Sequence, residues 1–84
     1  MGTKNNPGKF DCYVNALPDE PMFVLLARDP EFADLVGEWA DRRRRAVRCG
    51  LRPLSDMALV DEAIECASNG ANWRRQNNGA WRKG

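Results

Sequence analysis

Eighty-four residues with a formal net charge of +1 allow one domain and one core, because a chain this short buries only about 60–65% of the surface it exposes when unfolded. There is no histidine, and the three cysteines, Cys12, Cys49 and Cys66, are widely spaced; that set fits neither a zinc site nor a disulfide framework, so no metal or other cofactor is expected. The N-terminus lacks an apolar signal core, and the longest apolar run, Met22 to Ala27, is far short of the ~18–20 residues that cross a bilayer. A cytoplasmic protein that does not enter the membrane is expected.

Residues 1–9 read as an N-terminal arm, with turn chemistry in Asn5-Asn6-Pro7-Gly8. Phe10, Cys12 and Val14 alternate, which suits either a short edge strand or irregular structure. Asp19-Glu20-Pro21 has the makings of a helix start, with Pro in the first turn and acids placed to complement the dipole. Met22 to Arg28 is therefore expected to form a first helix of about two turns, although a run this short also suits a buried strand.

Asp29-Pro30-Glu31 marks the start of a second helix: Asp as N-cap, Pro at the first helical position, Glu in the first turn. Phe32, Leu35, Val36, Trp39, Arg43, Ala46 and Val47 follow the spacing of one helical face. Gly50 should stop this helix. Trp39, in the middle of the stripe, is expected to be buried against a third helix. That third helix is capped by Ser55, carries Met57, Val60, Ile64, Ala67 and Ala71 on one face, and ends at Asn69-Gly70 or continues to Trp73. Residues 77–84 form a C-terminal tail expected to dock on the body through Trp73, with Trp81 as a second candidate. The expected fold is all-α, a single three-helix domain over 1–84 with a short extended N-terminal segment.

The charge is strongly segregated. Residues 10–41 hold eight acids against one base, Arg28; residues 42–52 hold six arginines and no acid. Asp34, Glu38 and Asp41 recur at i, i+4 and i+7 off the apolar stripe. Carboxylates repeated along a rigid helix can imitate a line of phosphates and enter a basic groove meant for DNA; the plainer reading is a solvated helix face. The opposing cluster, Arg42, Arg44, Arg45 and Arg48, suits phosphates or an acidic partner. The plainer alternative is that Glu38–Arg42 and Asp41–Arg45 are intrahelical ion pairs in the favourable order. Arg43 must then lie toward the core, its stem covering Trp39 and Val47.

The Trp-Arg pairs of the tail could stack on single-stranded bases, but the balanced overall charge points to weak, non-specific DNA binding at most, lost by about 0.2 M salt. Catalysis has little to stand on without histidine. Asp61 and Glu65 share a face at a spacing common on surfaces, and the cysteines sit within or beside apolar stripes as small core residues would. A monomeric binding protein, not an enzyme, is expected.

Lys9-Phe10-Asp11-Cys12-Tyr13, Pro18-Asp19-Glu20-Pro21-Met22-Phe23, Leu25-Leu26-Ala27-Arg28-Asp29-Pro30, Leu35-Val36 and Trp39-Ala40 together resemble a widespread group of very short phage and prophage proteins, and are similar to the small type I-C anti-CRISPR proteins. The resemblance covers somewhat under half the chain, mostly in caps and core positions. It implies an inhibitor that binds a host CRISPR-Cas effector complex by surface contact and blocks recruitment of target DNA. Anti-CRISPR proteins share no active motif, so no functional residue is carried over. The alternative function is a small phage accessory protein that binds nucleic acid through the Arg cluster and the Trp-Arg tail.

Overall fold

In the computed structural model, which describes residues 2–77, three helices follow one another: α1 (Cys12–Asn15), α2 (Phe32–Arg48) and α3 (Asp56–Asn77). There is no strand among the described residues. The all-α reading holds, but the first helix is not the expected one. Met22–Arg28 is extended and then turns. Eight residues closed in by Pro21 and Pro30 are too few to nucleate a helix unaided. Over Val24 to Ala27 the half-buried Leu25 and Ala27 alternate with the exposed Val24 and Leu26, the period of an extended chain. The helical turn lies instead at Cys12–Asn15, where the Asp11 side chain accepts a hydrogen bond from the Tyr13 N–H at 3.1 Å.

Asp29 leads into α2 through a turn and is not its N-cap as expected: its Oδ1 accepts from the Glu31 N–H at 2.9 Å and its carbonyl from the Phe32 N–H at 3.1 Å, while Glu31 holds the N-cap position with no side-chain cap hydrogen bond. The first turn is tight, so the α-helix proper begins at Phe32. At the other end, Gly50 takes φ +77°. Its N–H bonds to the Val47 carbonyl at 3.1 Å, and that of Leu51 reaches Ala46 at 2.9 Å. These paired bonds satisfy the last carbonyls of the helix and reverse the chain. A left-handed φ of this kind costs a residue with a Cβ energy that glycine avoids.

The reversal lays α3 back along α2. The core between them is small: Ala40, Val60 and Ala63 are buried, with Val36 and Met57 packed against them. Phe32 closes the far end over Gly70. The seam is rotated from the expected stripe. Trp39 lies on its flank, 37% exposed, because Ala40 rather than Trp39 meets α3. Likewise Val60 and Ala63 face inward while Ile64 stands at the rim. α3 does not end at Asn69-Gly70; it continues to Asn77. Gly70 is there for close approach, since a Cβ at that position would lie 2.3 Å from the Phe32 Cε1. Trp73 is a half-exposed residue of α3 rather than a core lid. Trp81 and the tail beyond Asn77 lie outside the described residues.

The two helical glycines should respond oppositely to alanine. Around Gly37 nothing lies within 4 Å of an added Cβ, so Gly37→Ala should stabilise by up to about 1 kcal/mol through helix propensity. Gly70→Ala gains the same propensity but drives into a buried ring, and overpacking of this kind costs about 1–3 kcal/mol. Urea unfolding followed by circular dichroism should give Gly70→Ala a lower midpoint than the wild type and Gly37→Ala a higher one.

Candidate partner-binding surface

α2 presents three sides. Its inner side carries Phe32, Val36, Ala40 and Val47 toward α3. Its outer side carries the charges. Asp34 and Glu38 are exposed and Asp41 is partly so; beyond them come Arg42, Arg44, Arg45 and Arg48. The helix thus brings the predicted acidic set onto one face and the Arg cluster beside it. It also partly neutralises both. Arg42 donates to Glu38 at 2.8 Å, Arg44 to Asp41 at 3.3 Å, and Arg45 also to Asp41. Among the described residues Glu31, Asp34 and Arg48 have no ion pair, which leaves unbalanced negative charge at the start of the helix and unbalanced positive charge at its end.

Arg43 turns inward as the sequence requires. Its guanidinium stacks on the Trp39 ring, 5.0 Å from the ring centre, and donates to Asp56 at 3.1 Å. Arg52 donates to the same Asp56 oxygen at 2.8 Å. One carboxylate at the start of α3 therefore ties together α2, the turn and α3. Ser55 does not make the expected capping hydrogen bond among the described residues; the residue held at this helix start is Asp56, whose side chain is mostly buried.

The third side of α2 is apolar and open. Leu35, Val36 and Trp39 form one wall and the floor of a groove of about 290 Å³, Ala63 of α3 extends the floor, and Phe23 and Leu25 of the extended segment form the other wall. Phe23 is 86% exposed and Leu35 46%. Phe23 and Leu25 are period-two neighbours inside Met22–Ala27, as the extended alternative for that run has them.

The cysteines are not core residues as expected. Cys12 and Cys49 are exposed because they sit on the single turn of α1 and just past the end of α2; Cys66 alone is half-buried, and burial pushes its thiol up from the ordinary value. Among the described residues no group of three or more acidic or cysteine side chains is arranged to hold a metal ion, and no helix is long and apolar enough to cross a membrane. No protein-family model matches the chain, and no similar curated protein or solved structure was found.

The Asp56 carboxyl is held below the usual carboxylate range, first by the hydrogen bond from Arg52, against partial desolvation, and then by Arg43. Asp41 is lowered in the same direction, first by Arg44 and then by Arg45. A carboxylate whose pKa is depressed on folding contributes stability that is present above its unfolded pKa and lost as pH falls through the folded one. Unfolding midpoints in urea should therefore stay level from neutral pH down to about pH 5 and fall below about pH 4. Asp56→Asn should lower the midpoint at neutral pH and make the acid fall shallower; an acid limb identical to that of the wild type would remove Asp56 from the set of groups that produce it.

Proposed function

We propose that this chain acts by surface contact with a macromolecular partner, and that the partner is a CRISPR effector complex whose recruitment of target DNA it blocks. Two things support the reading: the resemblance of the Lys9–Ala40 stretch to small type I-C anti-CRISPR proteins, and the outer face of α2. That face belongs to a 17-residue helix on which Asp34, Glu38 and Asp41 stand off the packing seam, spanning about 10 Å by the helical rise. An effector holds nucleic acid in a positively charged channel, and ordered carboxylates on a preformed helix can occupy such a channel at little ordering cost.

The ion pairs divide the work within the set. Glu38 and Asp41 are already engaged by arginines of their own helix, so Asp34 supplies most of the unbalanced charge. Asp34→Lys alone should raise the concentration of protein needed to block target-DNA binding by a type I-C effector roughly tenfold, about 1.4 kcal/mol of binding. It should account for most of the loss seen when Asp34, Glu38 and Asp41 are all changed to Lys. The measurement is a gel-shift competition, with each variant first shown to be helical by circular dichroism. If the folded acidic triple variant inhibits fully while Arg42→Glu, Arg44→Glu and Arg45→Glu together abolish inhibition, the basic surface carries the function instead. Binding of the protein alone to DNA, sub-micromolar and resistant to about 0.2 M salt, would favour the accessory-protein alternative.

A further inference from the structure

The turn between α2 and α3 carries two leucines at its tip. Gly50 reverses the chain with its left-handed φ, the Leu51 N–H bonds to the Ala46 carbonyl at 2.9 Å, and the Asp56 N–H bonds to the Pro53 carbonyl at 3.0 Å. None of this uses the side chains of Leu51 and Leu54, which are 79% and 78% exposed. Apolar side chains scattered singly are ordinary on a protein surface. Two leucines within four residues of a turn, where glycine, proline and small polar residues do the turning, call for a reason.

The charges around them supply it. Between Asp41 and Asp56 the chain holds six arginines and no acid. Arg43 and Arg52 are drawn onto Asp56, Arg44 and Arg45 onto Asp41, and Arg42 onto Glu38. Arg48, in the last turn of α2, is exposed and has no ion pair among the described residues. Six guanidiniums against three carboxylates leave this end of the hairpin positive. The next acid on α3, Asp61, stands about 8 Å beyond Asp56 along the helix, and Asp34 is about 20 Å from Arg48 along α2, some two screening lengths in ordinary salt.

The tip is therefore ordered in depth, with apolar side chains foremost and cations about a turn behind. An anionic bilayer has the matching order, charged headgroups outside and acyl chains within. Nucleic acid offers phosphates but no apolar layer for the leucines, and a protein would need a pocket shaped to a protruding point. The exposed Tyr13, Leu17 and Phe23 lie instead among Asp11, Asp19 and Glu20 in the sequence, acids that an anionic surface repels.

We infer that the α2–α3 turn is a contact for the surface of an anionic lipid membrane: Leu51 and Leu54 enter the headgroup layer, and Arg48, with Arg45 and Arg52 beside it, meets the phosphates. The contact is peripheral, since no described helix is long and apolar enough to cross a membrane. Shallow apolar insertion and a small basic patch are each marginal alone, and together they give measurable binding. Leu51 and Arg52 already donate to the Ala46 carbonyl, so fewer polar groups lose water at the interface. The inference does not depend on the CRISPR reading.

The test is flotation of the full chain with vesicles at about 1 mM lipid and about 50 mM salt, using phosphatidylcholine with about 30% phosphatidylglycerol against phosphatidylcholine alone. The wild type should float with the anionic vesicles and not with the neutral ones, and about 0.5 M salt should release it. Leu51→Ser combined with Leu54→Ser keeps every arginine and should weaken binding about tenfold or more. Both leucines are exposed enough for the helical circular dichroism to stay that of the wild type, and Leu54→Ser alone decides the matter should the pair not fold. Arg48→Gln breaks no ion pair of the described chain and should weaken binding about fivefold. A wild type that does not float with the anionic vesicles overturns the inference. So does vesicle binding unchanged in the folded serine variant, which reduces the contact to charge alone. Binding to DNA at the same salt with the vesicles left unbound also overturns it and gives the arginines to nucleic acid.

Discussion

The close approach of α2 and α3 is the constraint on which the rest of this structure depends. At the seam the side chains are small: Ala40 on one helix, Ala63 and Gly70 on the other, with Val60 the largest side chain wholly withdrawn from solvent. Helices that meet through small residues come near each other, and the Phe32 ring then fills the space over Gly70. The cost is volume. A seam this narrow cannot also hold Leu35, Trp39, Ile64 or Trp73, which are displaced to its edges. Burial of a large apolar side chain stabilises by about 1.5–3 kcal/mol, and few side chains here gain that in full. The same narrowness that lets the hairpin close leaves its flank apolar and open.

Polar interactions hold what the thin core does not. Asp56 accepts from both Arg43 and Arg52, joining the end of α2, the connecting turn and the start of α3. The Arg43 stem and Trp39 ring lie together over the same region, so that a cation, an aromatic face and a carboxylate form one chain of contacts across the hairpin. Among the described residues the outer face has ion pairs within one helix only, where exposure and salt limit each to a few tenths of a kcal/mol. Their effect is less on stability than on charge display: they cancel the middle of α2 and leave its ends opposite in sign.

Local chemistry made much of this legible in the sequence. Asp29 at the entry to α2, Gly50 at its exit, the i,i+4 pairs Glu38–Arg42 and Asp41–Arg45, and the inward turn of Arg43 all follow from rules that act within a few residues. What the sequence did not show is set by tertiary geometry. The stripe on α2 is wide enough to be buried about either Trp39 or Ala40, and only the position of α3 chooses. Gly70 reads as a helix end by propensity, yet it stays helical because Phe32 packs where its side chain would be. The helix expected over Met22–Arg28 fails for a local reason, the two bounding prolines, which outweigh its apolar composition. For the candidate surface, the charged residues were legible individually, but their mutual neutralisation, the Asp56 clamp and the groove between α2 and residues 23–25 needed the fold.

The extended segment before α2 carries a hazard as well as a groove wall. Met22 to Ala27 contains no charge and is rich in apolar residues, and across Met22–Leu25 no backbone hydrogen bond forms within the described chain. A strand of that composition with free N–H and C=O groups is a template on which other unfolded chains can add edge to edge. The flanks blunt it. Pro18, Pro21 and Pro30 donate no hydrogen bond, and Asp19, Glu20, Arg28 and Asp29 place charge at both ends, so that a growing cross-strand ladder meets a missing donor or a buried charge within a residue or two of the run. The prolines that deny this segment a helix are thus the residues that also keep it from becoming a fibril seed.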